Sequence, residues 1–184
     1  MASKKEKQIE RTKQNITTAL LQLLTIYPLE SITITQLCKK ANVGRPTFYR
    51  HFLSTEDVLL QLSKKWFEEY LMAAKAAYEK VPRAETLDLV AFDFFRKNNL
   101  IVEMVQTKAF YKMLVGELGL RRRSIEKEFN LFDDESPYML EYRVGGMIFV
   151  FARWFSGGMK ESPEEMAEIF ATIYRGMDRG SQSF

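Results

Sequence analysis

Apolar residues recur along this chain at helical intervals of three and four positions, and the pattern is most regular between residues 33 and 52. Thr33 and Gln36 have the spacing of a capping box, in which each side chain satisfies a backbone N–H of the other residue. The apolar residues that follow share one face of a helix. The sequence therefore predicts a short helix over Ile34–Ala41.

A second short helix is predicted directly after the first. The segment Asn42–Gly44 interrupts the apolar pattern, because Asn and Gly tolerate a positive φ. Pro46 suits a first helical turn, where its missing N–H costs nothing, so this helix begins near Arg45. Phe48 and Phe52 are four positions apart and are predicted to face the core together.

The polar residues of this second helix are candidate DNA contacts. A recognition helix enters the major groove with its N-terminal residues near base edges, while the preceding helix crosses the phosphate backbone. Arg45 has the position of a base-reading side chain, whereas Thr47 and Tyr49 are better candidates for phosphate hydrogen bonds. The predicted DNA-binding residues are Thr33, Thr35, Gly44, Arg45, Pro46, Thr47, Tyr49 and His51.

The rest of the chain also has helical periodicity, with no alternating runs that indicate strands. The pattern predicts a helix over Lys4–Ile26 and a long helix that starts after Ser54 and runs to about Glu79. Ser-Pro pairs mark the starts of the last two helices. The further predicted helices are Arg83–Asn98, Leu100–Gln106, Lys108–Glu117, Pro137–Ser156 and Pro163–Met177.

These elements predict an all-α protein in two parts. A three-helix head that contains the helix-turn-helix occupies residues 1–54, and a helical body occupies residues 55–184. The long helix that begins at this boundary is predicted to join the two parts as a rigid connector.

The stretch Gly145–Phe155 is apolar on nearly every side of a helix, yet it is far too short to cross a membrane. One side of this helix can pack inside the protomer, and the other side is then predicted to pack against a partner. The alternative is a core helix that is buried on all sides within the protomer. Arg153 interrupts the run and needs a partner such as Glu141 or an acidic residue of a second subunit. The predicted dimer-interface residues are Gly145, Gly146, Phe149, Arg153, Trp154, Ile169 and Ile173.

Aromatic and methionine residues are frequent in the body, where they can line a small-molecule pocket or form ordinary core. Core packing is the commoner role for any single one of them. The candidate pocket residues are Trp66, Tyr70, Phe95, Phe110 and Met113.

Charge is distributed unevenly along the chain. The net charge is +3, but residues 1–54 hold nine Lys or Arg against three Glu, which leaves +6 on the head and −3 on the remainder. A basic head is expected where phosphate neutralisation supplies much of the affinity. A solvated charged surface is the alternative explanation.

Composition excludes several other classes of protein. With 184 residues, of which 46% are hydrophobic, the chain is long enough to bury a sizeable core. It has no apolar run of membrane-spanning length and no signal-peptide segment, so a cytoplasmic protein without membrane contact is expected. Cys38 is the only cysteine, predicted to be a packed core thiol, and His51 is the only histidine. No metal-ligand spacing or phosphate loop occurs, so neither enzymatic activity nor a cofactor is expected.

Residues 9–62 resemble the DNA-binding module of TetR-type transcriptional regulators. The chain differs from that module at Asn42 and Gly44, at Pro46, and at Thr55, where the family usually has a phosphate-binding Lys. The residues that match it are Thr33, Leu37, Ala41, Val43, Thr47, Phe48, Tyr49, His51, Phe52, Ser54, Glu56 and Leu59.

This resemblance implies a homodimeric repressor that binds an inverted-repeat operator in double-stranded DNA. It implies that the last two helices form the dimer, and that a small-molecule effector in the C-terminal domain modulates operator binding. An activator or adaptor controlled by a protein partner is the alternative that the sequence leaves open.

Overall fold

The computed structural model describes residues 3–98, 125, 128, 129 and 137–181. Within these residues every regular element is helical, which confirms the predicted all-α fold. A short 3-10 turn, Leu29–Ser31, joins the first two helices. The α-helices are α1 (Lys4–Leu24), α2 (Ile34–Ala41), α3 (Arg45–Tyr49), α4 (Thr55–Tyr78), α5 (Ala84–Lys97), α6 (Pro137–Ser156) and α7 (Pro163–Ser181).

The helix bounds differ from the predicted ones by only a few residues. Both α2 and α6 have the predicted bounds, while α7 continues beyond its predicted end to Ser181. Helix α1 ends early, at Leu24. It is closed by a tight turn, in which the N–H groups of Ile26 and Tyr27 both donate to the Leu23 carbonyl at 3.0 and 2.8 Å.

The core of the head forms where α1, α2 and α3 meet. Phe48 is fully buried and Phe52 is nearly so, with their ring centroids 5.9 Å apart, and both pack in one cluster with Leu37. Cys38 is also buried, as predicted for a packed thiol. Burial raises the pKa of this thiol, and the charge of Arg45 offsets only part of that shift.

An aromatic cluster joins α5, α6 and α7 in the body. Phe92 of α5 is fully buried and stacks on Phe151 of α6, with 4.4 Å between ring centroids. It also meets Trp154 and Phe170 edge-on, at 5.1 Å in both cases. Such pairs each contribute about 0.5–1.5 kcal/mol beyond the burial of their area. This cluster accounts for the inner face of the apolar stretch in α6.

Helix α4 carries buried contacts from the head into the body. Val58 and Leu62 pack with the head, and Trp66 continues the same buried cluster toward α5. A second cluster lies further along α4, where Tyr70 packs with Leu87 of α5. The predicted domain boundary is at the start of α4, and the buried cluster continues across it from the head into the body.

The turn between α2 and α3 contains one left-handed residue. Asn42 ends α2 with φ 53° and ψ 47°. Gly44 has φ −77° and ψ 150°, a conformation open to any residue, and a Cβ there would meet Pro46 Cδ at an ordinary contact distance of 3.6 Å. Of the two residues expected to break the helix through a positive φ, only Asn42 adopts one.

Candidate nucleic-acid interface

Helix α2 is fixed at its N-terminus by the predicted capping box. The Thr33 hydroxyl accepts from the Gln36 N–H at 3.2 Å, and Gln36 Oε1 accepts from the Thr33 N–H at 2.9 Å. The same hydroxyl donates to Gln36 Oε1 at 2.8 Å. Because a hydroxyl has one hydrogen to donate, Thr33 has to release Gln36 before it can donate to a phosphate.

Helix α3 is anchored by aromatic residues on one side and exposes polar residues on the other. Phe48 and Phe52 are buried, whereas Arg45 and Tyr49, which are also four positions apart, remain exposed. The Tyr49 ring packs edge-on against Phe48, with 5.5 Å between centroids, while its residue stays 48% exposed. The buried rings thus set the direction of the exposed face.

The predicted DNA-binding residues all retain accessible surface. Thr47 and His51 are half-buried, and neither lies in the core. These residues lie on α2 and its N-cap, on α3, and in the turns that flank α3. Those that are exposed are Thr33, Thr35, Gly44, Arg45, Pro46 and Tyr49.

A hydrogen-bond network behind α3 involves a residue that the sequence did not single out. Gln61 of α4 donates through Nε2 to the His51 carbonyl at 3.1 Å and to Asp57 Oδ2 at 3.2 Å. Its Oε1 accepts from Lys13 Nζ of α1 at 3.4 Å. One glutamine therefore ties α1, α4 and the end of α3 together. No sequence signal marks it, because an isolated Gln on a helix is usually solvated.

His51 lies where this network meets the exposed face. Its pKa is lowered from the usual value, mainly by burial and then by the positive charges of Lys13 and Arg50. At neutral pH the imidazole is therefore uncharged. His51 can offer a hydrogen bond to DNA, but the positive charge of the face comes from other side chains.

That positive charge comes from exposed lysines and arginines on α2 and α3. They are Lys39 and Lys40 in the last turn of α2, together with Arg45 and Arg50. Among the ion pairs formed by the described residues, none uses these four side chains. Their charge is therefore available to a polyanion.

A second surface, on α6 and α7, is apolar and exposed. Phe149 is 66% exposed, Ile169 42% and Ile173 37%. Tyr138 and Tyr142, which were not among the predicted interface residues, extend the surface along α6 and are also largely exposed. These five residues form what we term the α6–α7 face. Large apolar side chains grouped in this way are typical of a protein interface.

Gly145 and Gly146 lie on α6 between the residues of this face. A Cβ built on either would meet no atom of the described residues within 4 Å, so the packing of those residues does not require glycine at these positions. Glycine inside a helix costs about 1 kcal/mol relative to alanine. Packing among the described residues therefore gives no reason for glycine at either position.

Trp154 was predicted to share the dimer surface with Phe149 and Arg153, and this expectation is wrong. Trp154 is only 3% exposed and packs against Phe92, while its Nε1 donates to the Glu161 carbonyl at 3.1 Å. Five positions separate it from Phe149, and this spacing points the two side chains to different sides of the helix.

The arginines of α6 also differ from expectation. Arg153 is exposed, so its guanidinium is not a buried charge that requires a partner. Arg143 is the buried one, and its guanidinium lies over the ring of Tyr174 with 5.2 Å to the centroid. The side chain of Glu141, the suggested partner of Arg153, lies outside the described residues.

The candidate pocket residues fall into different surroundings. Trp66 belongs to the main core cluster, and Phe95 packs against Phe151 with 5.2 Å between centroids. Tyr70 lies in the second cluster, where its hydroxyl donates to the Leu87 carbonyl at 3.4 Å. The candidates Phe110 and Met113, the predicted helices over residues 100–106 and 108–117, and any cavity they form lie outside the described residues.

Two open clefts occur among the described residues, and neither is lined by Trp66, Tyr70 or Phe95. One of about 260 Å³ lies between α4 and α5. The other, of about 410 Å³, lies at the turn between α6 and α7. Within the described ranges no group of three or more His, Cys, Asp or Glu side chains is arranged to hold a metal ion. None of the helices found there has both the length and the apolarity to span a bilayer.

Comparison with known families gives two matches along the chain. Residues 16–62 match the family described as bacterial regulatory proteins, tetR family. Residues 107–176 match the family described as transcriptional regulator C-terminal region. No curated protein matches the sequence.

Several solved structures have the same fold at low sequence identity. The protein Lin0861 of Listeria innocua superposes with a TM-score of 0.73 at 16% identity, over 96% of this chain and 95% of that one. A protein described as a TetR-family transcriptional regulator of Syntrophomonas wolfei gives 0.64 at 16% identity, over 91% and 95%. The fatty acid degradation regulator FadR of Bacillus halodurans gives 0.60 at 16% identity, over 85% and 91%.

Proposed function

This chain belongs to the TetR family of transcriptional regulators, and we propose that it acts as a homodimeric repressor whose operator binding is modulated by a small molecule. The observation that carries the DNA-binding part is the orientation of α3. Phe48 and Phe52 hold one side in the core, and Arg45 and Tyr49 extend from the exposed side. A helix held in this way can enter a major groove with Arg45 near the base edges.

We assign different roles to Arg45 and Tyr49, two exposed residues of α3. Arg45 lies in the first turn and can form paired hydrogen bonds to a guanine, whereas a tyrosine hydroxyl can donate to a phosphate. Phosphate contacts position the helix without reading the sequence. Arg45 is therefore the proposed base reader and Tyr49 the proposed phosphate contact.

This assignment is tested by measuring binding to a library of DNA sequences. Arg45→Ala is expected to relax the preference at one position per half-site and to cost about 1–3 kcal/mol there. Tyr49→Phe is expected to weaken all sites about equally. Arg83→Ala, at the exposed N-cap of α5, is the control and should change neither. Equal loss on every sequence in Arg45→Ala would remove it as a base reader.

The four exposed cations of α2 and α3 are proposed to supply most of the non-specific affinity. Each phosphate neutralised by a cation lowers the slope of log K against log salt concentration by about 0.9 on duplex DNA. Replacing both Lys39 and Lys40 with Gln should therefore flatten this slope. An unchanged slope would place the two lysines away from the duplex.

The homodimer is proposed from the α6–α7 face. Its exposed aromatic residues share α6 with Gly145 and Gly146. A Cβ at either glycine would meet no atom of the described residues within 4 Å, so a second α6 helix can approach there. Two copies related by a two-fold axis would present two α3 helices, so the operator is expected to be an inverted repeat.

Sedimentation of the purified protein tests the dimer. Gly146→Leu adds volume at a position where a Cβ would meet no atom of the described residues, so it should yield a folded monomer that binds a single half-site weakly. Gly146→Ala is the milder matched change. A wild-type protein that remains monomeric at micromolar concentration would contradict the homodimer.

The small-molecule part of the proposal rests on the family and on the aromatic-rich body. A ligand that binds only the folded protein at a hundred times its Kd stabilises it by about 2.7 kcal/mol. A metabolite screen read by thermal unfolding should therefore reveal the effector, which should also lower operator affinity. A bound metabolite that raises operator affinity would make the protein a co-repressor-dependent regulator instead.

A further inference from the structure

The cleft at the turn between α6 and α7 has the make-up of a small-molecule site. It has a volume of about 410 Å³, within the range of roughly 300–1,000 Å³ that is usual for ligand pockets. Val150, Trp154, Met166 and Ile169 give it apolar walls. None of Trp66, Tyr70 and Phe95, the residues of α4 and α5 that the sequence suggested for an effector pocket, lines this cleft.

Two cations border these apolar walls. Arg153 comes from the last turn of α6 and Lys160 from the turn, and both residues are exposed. No ion pair between described residues uses either side chain. Glu161 also lines the cleft, so the charged lining retains a net charge of +1.

Hydrogen bonds tie the turn between α6 and α7 to side chains of α5 and α6. The Glu161 carbonyl accepts from Trp154 Nε1 and from Arg96 Nη1 of α5, both at 3.1 Å. Gly158, the second residue of this turn, has φ 84°, a conformation suited to glycine. Preorganisation of this kind lowers the cost of binding.

We propose that this cleft binds a small molecule with an apolar body and one carboxylate, the carboxylate pairing with Arg153 and Lys160. The guanidinium of Arg153 is a planar donor that matches a carboxylate in two hydrogen bonds, and Lys160 adds a point charge. The apolar body of the ligand lies against Val150, Met166 and Ile169.

Occupancy of the cleft is coupled to dimerisation, a consequence that rests on the homodimer proposed above. Arg153 and Ile169 belong both to the cleft and to the predicted dimer interface, and Arg153 lies one helical turn after Phe149. Burying an unpaired guanidinium at an interface is costly, and a bound carboxylate compensates its charge. The ligand therefore strengthens the dimer.

Calorimetric titration with naphthalene carboxylate tests the cleft on the full-length protein. The matched neutral probe, naphthalene carboxamide, should bind at least tenfold more weakly. Lys160→Gln and Arg153→Gln should each lower the affinity for the carboxylate about tenfold, while Lys64→Gln, an exposed lysine of α4, serves as the control. Ser156→Phe, which fills the cleft from its rim, should abolish binding.

Carboxylate binding that is indifferent to both charge substitutions and to Ser156→Phe would place the site elsewhere and overturn the proposal, as would an absence of binding. Sedimentation with and without the probe separates this outcome from failure of the homodimer. A dimer that does not bind the probe removes the cleft alone. A monomer that binds it through Arg153 and Lys160 keeps the cleft and removes the homodimer together with its coupling.

Discussion

The outer side of α3 and the α6–α7 face are both exposed, but they carry opposite kinds of side chain. Arg45 and Tyr49 make the first polar and basic, whereas Phe149, Ile169 and Ile173 make the second apolar. Behind each face lies the same construction, a helix held by buried aromatic rings. In both places the buried rings determine which side of the helix is exposed, and the residues on that side determine whether the surface is polar or apolar.

The difference between the two faces indicates their partners. Exposed apolar surface costs about 25 cal/mol per Å² relative to its burial, so the α6–α7 face gains most from another protein surface. A cationic face loses hydration when it meets an apolar surface, but gains counterion release when it meets a polyanion. The two surfaces therefore fit the two partners proposed above, DNA for the outer side of α3 and a second copy of the chain for the α6–α7 face.

The largest expected effect comes from removing the ring that aims the polar face. Phe48→Ala leaves a cavity in the head core, because Phe48 is fully buried. It should cost about 3–5 kcal/mol of stability, measured by urea unfolding, and should abolish operator binding. A loss below about 1 kcal/mol would show that the head tolerates collapse around α3.

The same substitution on the apolar face should have a different consequence. Phe149 is 66% exposed, so Phe149→Ala should leave the stability of the protomer nearly unchanged. It should weaken the dimer by about 2 kcal/mol or more, which sedimentation equilibrium measures. Tyr27→Ala, an exposed aromatic of the head, is the control. If both variants weakened the dimer equally, the α6–α7 face would not be the interface.

A smaller effect is expected from the polar network behind α3. Gln61→Met keeps the shape of the side chain but removes its hydrogen bonds to the His51 carbonyl, Asp57 and Lys13. We expect a loss of about 1–2 kcal/mol in stability and a weaker affinity for DNA. Gln22→Met on the exposed side of α1 is the matched control. Identical behaviour of the two variants would remove Gln61 as a positioning residue.

The smallest effect concerns pH. The folded head lowers the pKa of His51 below its unfolded value of about 6.5, so the unfolded chain binds a proton first as the pH falls. Stability that is fully present above about pH 6.5 is therefore lost as the pH falls toward the folded pKa. Unfolding measured on both sides of this window should show the loss in wild type, and less of it in His51→Gln. Parallel pH profiles would show that His51 does not contribute.

Local features of the chain were predictable to within a few residues because their causes are local. The Thr33 and Gln36 capping box and the apolar spacing produced the predicted bounds of α2. The proline of a Ser-Pro pair likewise fixed the first residue of α6 and of α7, where its missing N–H costs nothing. The candidate recognition face followed from the same spacing, since residues four apart on a helix share a side.

Side chains whose surroundings depend on distant parts of the chain were less predictable. Trp154 and Phe149 both belong to one apolar run, and the pattern did not show which of them faces Phe92 of α5. Gln61 looked like any solvated residue until α4 packed beside His51 and Lys13. Contacts of this kind join positions far apart in sequence, so no local periodicity records them.

By itself, the sequence determined the helical class, the position of the helix-turn-helix and the basic character of the head. These depend on capping, spacing and charge within a few neighbouring residues. Only the tertiary structure decided that Trp154 is buried and Phe149 exposed, that Arg143 rather than Arg153 is the buried cation, and that Arg153 and Lys160 border one cleft. The physical reason is that an apolar helix can bury any of its sides, and the packing of its neighbours selects one.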